Sequence, residues 1–198
     1  MSETTAEHHL IVVAGPNGSG KSTAAPILLR DGLEVAEFVN ADAIAAGLSA
    51  FRPESVAIAA GRIMLQRMRA LAAARMDFAF ETTLASRSFA SWISGLKRDG
   101  YHVHLLFLWL RSPELALSRV AERVRLGGHD VSADVVRRRY DRGMRNFFDP
   151  YQPLADSWEF LDNSSALGPR LIACGQGTTT LNVEDGLAWQ KLSEVYGG

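Results

Sequence analysis

The clearest chemical pattern in the sequence runs from Gly15 to Ser22 and reads Gly-Pro-Asn-Gly-Ser-Gly-Lys-Ser. It matches G-x-x-x-x-G-K-[ST], in which a glycine-rich turn points backbone N–H groups at a chain of phosphates. The preceding run, Leu10 to Ala14, is typical of a buried strand, and a helix is predicted from Lys21 to Arg30. This context predicts a nucleotide site, with ATP as the expected cofactor. The expected contacts are Gly15, Pro16, Asn17, Gly18, Ser19, Gly20, Lys21, Ser22 and Thr23.

Two residues of this loop have side chains suited to separate tasks. A lysine in the position of Lys21 reaches the β and γ phosphates, and the hydroxyl of Ser22 can hold Mg²⁺. Glu81 ends the apolar run Phe78 to Phe80 and is interpreted as a contact of the same ion, directly or through water. The alternative for Glu81 is an ordinary loop carboxylate. We therefore expect Mg²⁺ beside Ser22 and Glu81.

Asp42 is the candidate catalytic base. It follows a second predicted strand, Glu34 to Val39, at the carboxyl edge of a parallel sheet, where the phosphate loop also lies. A carboxylate there can bind an acceptor hydroxyl, orient it and take its proton during phosphate transfer. The alternative is that Asp42 caps a helix starting near Ala43.

Arginines are concentrated between residues 119 and 145, in two predicted helices separated by Gly127-Gly128-His129. Arginine suits bidentate contact with phosphate, so this region is expected to be a hinged helical lid, at approximately residues 119–145. Arg123 and Arg138 lie on opposite sides of the break and are expected to be the catalytic pair that neutralises phosphate charge. The further candidates are Arg139, Arg142 and His129.

Composition excludes several classes of function. The 198 residues carry a formal charge of -1, without the basic excess of a duplex-coating protein. The lone cysteine, Cys174, excludes an internal disulfide and a multi-cysteine zinc site. The longest apolar run, Val103 to Leu110, is too short to span a bilayer, and Met1 to His9 does not resemble a secretion signal. We expect a cytoplasmic protein without a membrane partner, and the near-neutral charge argues against nucleic acid as a partner.

The alternation of short apolar runs with helical segments predicts an α/β fold in one domain, residues 1–198, with a parallel sheet and right-handed crossovers. The C-terminal part offers further strands at Leu171 to Cys174 and Thr179 to Val183. An apolar run, Trp158 to Leu161, precedes Asp162-Asn163-Ser164. That tripeptide either flanks the adenine of the nucleotide or forms a plain Asx turn.

Taken together, the motifs resemble the zeta toxin family of P-loop kinases over roughly residues 10 to 175. The resemblance implies the P-loop NTPase fold of nucleoside and shikimate kinases, with a five-stranded parallel sheet flanked by helices. It rests on five ordered segments, Gly15 to Thr23, Phe38-Val-Asn-Ala-Asp42, Phe78-Ala-Phe-Glu-Thr-Thr83, Gly127-Gly-His129 and Arg138-Arg-Tyr140.

The same resemblance implies an activity and a partner. Zeta toxins phosphorylate a hydroxyl of UDP-N-acetylglucosamine with ATP, and a small helical antitoxin blocks their nucleotide site. Thr83 would contact the sugar nucleotide. The family's helix before the third strand brings a glutamate to the sugar, but here Arg62 and Gln66 occupy that stretch. Arg62 is therefore expected to meet a substrate phosphate, the alternative being a helix-surface arginine.

Two other functions remain open at this stage. A kinase acting on a nucleic-acid end would also use the phosphate loop and an arginine lid, although the near-neutral charge argues against it. A non-enzymatic ATP-binding regulatory module would need the loop alone, and the placement of Asp42 argues against that function.

Overall fold

The computed structural model describes residues 7–32, 35–128 and 130–198, in which one mixed sheet has seven strands in the order β2-β3-β1-β4-β5-β6-β7. The strands are β1 (His8–Ala14), β2 (Glu37–Val39), β3 (Phe78–Thr82), β4 (Tyr101–Trp109), β5 (Ser157–Asp162), β6 (Arg170–Gln176) and β7 (Thr179–Val183). The helices are α1 (Lys21–Gly32), α2 (Ala41–Leu48), α3 (Ala57–Ala73), α4 (Ser88–Arg98), α5 (Pro113–Arg125), α6 (Ala133–Asn146), α7 (Gln152–Leu154) and α8 (Gly186–Tyr196).

Strand β1 is the middle strand of β2-β3-β1-β4-β5, and its apolar run from Leu10 to Ala14 is buried on both faces of the sheet. Leu10 and Val12 point into a core formed with α3, α4, α5, α6 and α8. Ile11 and Val13 point the other way, into a smaller core beneath α1. None of the described helices is both long and apolar enough to cross a membrane.

The first five strands in the order β2-β3-β1-β4-β5 are parallel, which confirms the predicted α/β sheet. The prediction of a sheet with only five strands is wrong, because β6 and β7 extend it as antiparallel strands. The turn between them contains Gly177 at φ +49°, and so short a connection can join only antiparallel neighbours. The fifth parallel strand is Ser157–Asp162, which the sequence showed only as an apolar run.

Helix α8 covers strand β5 through an aromatic cluster. The Trp189 ring stacks on Trp158 with centroids 5.3 Å apart and also contacts Phe148 and Phe160. This cluster was not predicted from the sequence, because its members come from three separate parts of the chain.

Replacing Trp189 with alanine is expected to lower the free energy of unfolding by about 3 kcal/mol, because the substitution opens a cavity in this cluster. Urea denaturation followed by circular dichroism measures the change. Leu187→Ala on the same helix is the control, since Leu187 is 84% exposed and should shift stability by less than about 0.5 kcal/mol. Equal losses in the two variants would contradict the packing assigned to α8.

Candidate active site

The phosphate loop joins β1 to α1 and has the backbone that its glycines predict. Gly15 has φ +141°, and a Cβ atom there would lie 2.2 Å from the carbonyl oxygen of Leu108. Gly18 has φ +77°, a conformation that other residues rarely adopt. The loop ends at the first turn of α1, where free N–H groups and the helix dipole favour an anion.

Lys21 lies buried at the base of this loop. Its ammonium donates a hydrogen bond to the carbonyl of Pro16 at 2.9 Å and lies 3.7 Å from Oε1 of Glu81. Burial lowers the pKa of Lys21, while the negative charges of Glu81 and Asp42 oppose that shift. The two carboxylates therefore favour the charged ammonium at the place where the loop would bind phosphates.

Asn40 connects the phosphate loop to the strand edge beside it. Its Nδ2 donates to Oε2 of Glu81 at 2.7 Å and to Oγ of Ser22 at 3.2 Å. Its Oδ1 accepts the N–H groups of Asp42 and Ala43, so Asn40 is the N-cap of α2. The alternative that Asp42 caps this helix is therefore wrong. Asn40 was not among the predicted site residues, although asparagine directly before a helix is a common N-cap.

Replacing Asn40 with alanine is expected to lower the free energy of unfolding by about 1–2 kcal/mol, because two helical N–H groups lose their acceptor. Urea denaturation at neutral pH measures this change. Asn182→Ala is a matched control, since Asn182 lies on the exposed strand β7, and its loss should be below about 0.5 kcal/mol. A fully stable Asn40→Ala protein would argue against the capping role.

The oxygens of Ser22 and Glu81, which the sequence predicts as magnesium contacts, lie within hydrogen-bond distance of one another. The Ser22 hydroxyl donates to Oε2 of Glu81 at 2.7 Å, beside the Lys21 ammonium. No group of three or more His, Cys, Asp or Glu side chains suited to a metal lies within the described parts of the chain. A hydroxyl and one carboxylate fit Mg²⁺ bound to a nucleotide, because phosphate oxygens and water supply its remaining ligands.

A cavity of about 480 Å³ opens in front of the loop. Four basic side chains and two carboxylates are among its described lining residues, which gives the cavity a positive excess suited to a nucleotide. These charged residues are Lys21, Arg119, Arg123, Arg139, Asp42 and Glu81. Met64, Phe89 and Thr83 also line this cavity.

The structure brings most of the predicted site residues together at this cavity. Asp42 has a carboxylate that is 60% exposed, and its Oδ2 lies 3.9 Å from Nη1 of Arg123. Lys21, Ser22, Glu81 and Thr83 line the same space. The candidate base and the lysine of the phosphate loop therefore line a single cavity.

Three of the predicted lid and substrate residues lie elsewhere. Arg138 and Arg142 are exposed on α6 and are not among the residues that line the cavity, whereas Arg139 is. Val136 lies on the buried face of α6. Arg139 is one turn further along the helix and borders that face, whereas Arg138 points away from it. Arg62 is an exposed residue of α3 outside the cavity lining. His129 lies outside the described residues.

The loop after β5 contacts the phosphate loop. Nδ2 of Asn163 donates to the carbonyl of Ser19 at 2.7 Å, and Arg119 donates to the carbonyls of Asn163 and Ser164 at 2.8 and 3.0 Å. Asp162 accepts the N–H of Ser164, which is the Asx turn that the sequence left open. The contact between Arg119 and this loop was missed, because only the folded chain brings them together.

A family model described as an AAA domain matches residues 10–150 of the chain. An uncharacterised protein of Haemophilus influenzae is 30% identical over 134 residues, which cover 68% of this chain and 94% of that protein.

Solved structures show the same fold at lower identity. A chain of the AvrRxo1-ORF1:AvrRxo1-ORF2 complex with sulphate ions has a TM-score of 0.72 at 17% identity, covering 96% of this chain. This chain spans 64% of that one, and the complex has also been solved with ATP. A chain from the PezAT chromosomal toxin-antitoxin system of Streptococcus pneumoniae has a TM-score of 0.64 at 13% identity, covering 100% of this chain and 81% of its own. These likenesses confirm the predicted P-loop fold.

Proposed function

We propose that this chain, which belongs to the AAA domain family matched by its residues 10–150, transfers the terminal phosphate of ATP to a hydroxyl group of a small molecule. The observation that carries the proposal is the placement of Asp42. Its carboxylate is exposed to the same cavity that Lys21 and the phosphate loop line. An ATP-binding module without transfer activity would not need a carboxylate at that position.

The proposed reaction uses groups on both sides of the cavity. The oxygen of the acceptor hydroxyl forms a bond to the γ-phosphorus, and Asp42 accepts the proton of that hydroxyl. The bond between that phosphorus and the bridging oxygen of ADP breaks, and Lys21 stabilises the charge that develops on the β-phosphate of the departing ADP. Magnesium bound by Ser22 and Glu81 would neutralise charge on the β and γ phosphates. The crystal structure of the AvrRxo1 complex with ATP supports ATP as the phosphate donor.

The arginines of α5 and α6 are the second part of the proposal. Arg123 and Arg139 line the cavity from two helices separated by Gly127 and Gly128. We assign charge neutralisation to this pair, which replaces the predicted pair of Arg123 and Arg138. The lid, at approximately residues 119–145, would close over the triphosphate as part of one domain that spans residues 1–198.

A sugar nucleotide such as UDP-N-acetylglucosamine is the acceptor we propose to test first. Support comes from the resemblance of the motifs to zeta toxins and from the shared fold with a chain of the PezAT toxin-antitoxin system. The polar side chain of Thr83 beside Met64 and Phe89 would suit an acceptor that carries both hydroxyls and apolar groups. A small helical antitoxin that covers the nucleotide site is the partner we propose on the same grounds.

A metabolite screen tests the proposed function. The protein is incubated with ATP, Mg²⁺ and a cell extract, and mass spectrometry follows every species that gains a phosphate. We expect one small molecule to gain a phosphate in proportion to the ATP consumed. A labelled oligonucleotide in a parallel reaction tests for a nucleic-acid-end kinase. Binding of ATP with no phosphorylated product in either reaction would leave only the regulatory module.

A further inference from the structure

The backbone just after strand β3 adopts a conformation that is unfavourable for the residue at that position. Leu84 has φ +53°, which lies in the left-handed region that residues with a Cβ atom rarely adopt. It is fully buried, and it directly follows Thr83, which lines the cavity. A disfavoured backbone beside a candidate site persists only if surrounding contacts hold it in place.

Those contacts come from the end of helix α6. The carbonyl of Leu84 accepts a hydrogen bond from Nδ2 of Asn146 at 2.6 Å, and its N–H donates to Oγ1 of Thr82 at 3.1 Å. Asn146 is only 7% exposed, and its Oδ1 accepts from Nε of Arg87 at 3.1 Å. Since Arg87 can only donate, this contact fixes which end of the amide faces Leu84.

The same region holds the loop at three further points. The hydroxyl of Tyr151 donates to the carbonyl of Ser86 at 2.5 Å, and burial raises the pKa of Tyr151 to about 12, which keeps that proton in place. Arg87 pairs with Asp149 at 2.9 Å. Helix α6 passes so close to the loop that a Cβ atom on Gly143 would lie 2.5 Å from the carbonyl oxygen of Thr83.

We propose that Asn146 is a positioning residue that holds Leu84 in its left-handed conformation and thereby presents Thr83 to the phosphate acceptor. The inference rests on the proposed function, because it assigns Thr83 to the acceptor side of the cavity. Rotation of Leu84 into an ordinary conformation would turn the adjoining peptide groups and move Thr83 relative to Asp42. The nucleotide side of the cavity does not depend on this contact, since its loop lies between β1 and α1.

The variant Asn146→Asp tests this role because it keeps the shape and the contact with Arg87 but removes the donor to Leu84. We expect the KM for the acceptor found in the metabolite screen to rise by at least about tenfold, while the KM for ATP stays within about twofold. Arg98→Gln is the control, since Arg98 is exposed at the end of α4 and is not among the residues that line the cavity. Equal changes in both KM values, or no change in either, would overturn the proposal.

A second variant and a second readout separate this idea from the proposed function. Arg87→Ala, at an exposed residue, frees the Asn146 amide without emptying the core and should raise the acceptor KM in the same direction. Hydrogen exchange of the backbone amides of residues 83–88 can be measured without any phosphate acceptor. Both variants should speed it by at least about tenfold, with the affinity for a non-hydrolysable ATP analogue unchanged. Unaltered exchange would overturn the positioning role even in a protein without transfer activity.

Discussion

Replacing Asp42 with asparagine is expected to slow phosphate transfer by a factor on the order of 10²–10⁴ while ATP still binds. Asparagine has the same shape but cannot take a proton from the acceptor hydroxyl. The Asp42 side chain is 60% exposed and does not cap α2, so the fold should be unaffected. Removing a negative charge from the cavity should not weaken the binding of an anionic nucleotide.

Single-turnover kinetics and isothermal titration with a non-hydrolysable analogue measure these two effects separately. Asp99→Asn is the matched control, since Asp99 is exposed at the C-terminal end of α4, outside the cavity lining. The control should transfer phosphate at the rate of the unaltered protein. An Asp42→Asn protein that keeps its rate to within about twofold would refute the role of Asp42 as the base.

Replacing Lys21 with methionine is expected to weaken ATP binding on the order of tenfold to a hundredfold and to slow transfer on the order of 10³-fold or more. Methionine fills a similar volume in this buried position but carries no charge to the β and γ phosphates. The substitution also leaves the carboxylate of Glu81 without its neighbouring ammonium, 3.7 Å away in the unaltered protein.

The matched control for this variant is Lys191→Met on the exposed side of α8, which should leave both quantities unchanged. Thermal unfolding shows whether the loss of charge at Lys21 has damaged the fold as well. An Lys21→Met protein that is folded and binds ATP as tightly as before would show that the nucleotide lies elsewhere.

Features fixed by local chemistry were predictable from the sequence. The phosphate loop is one of them, because its glycines permit a backbone that other residues would strain. The N-cap of α5 is another, because serine is a favourable residue directly before a helix. Ser112 accepts the N–H of Leu115, and the helix then runs from Pro113 to Arg125. Buried strands were visible as apolar runs, Leu10 to Ala14 in β1 and Leu105 to Trp109 in β4.

Features that depend on tertiary contacts were harder to predict. Arg138 and Arg139 are neighbours in sequence, and one residue turns a helix by about 100°. Only the face that is buried on α6 decides which of the two lines the cavity. The spacing of Val136, Tyr140 and Met144 would have indicated that face, since apolar residues four apart lie on one side of a helix.

The polar contacts that hold the site together are even harder to predict from the sequence. Asn40 reaches Glu81 and Asn146 reaches Leu84 across long stretches of chain, so nothing in the local sequence marks either contact. The hairpin of β6 and β7 was visible as two strands, but their antiparallel directions follow from the short turn between them and from the pairing of β6 with β5.

The central claim is that the cavity passes the terminal phosphate of ATP to a hydroxyl beside Asp42. Reaction of the protein with ATP labelled by oxygen-18 in the γ-phosphate, and with the acceptor found by the metabolite screen, tests it most directly. Mass spectrometry should find the whole labelled phosphoryl group on the acceptor and ADP in equal amount. Label recovered only as inorganic phosphate, or ATP left unchanged, would contradict the account.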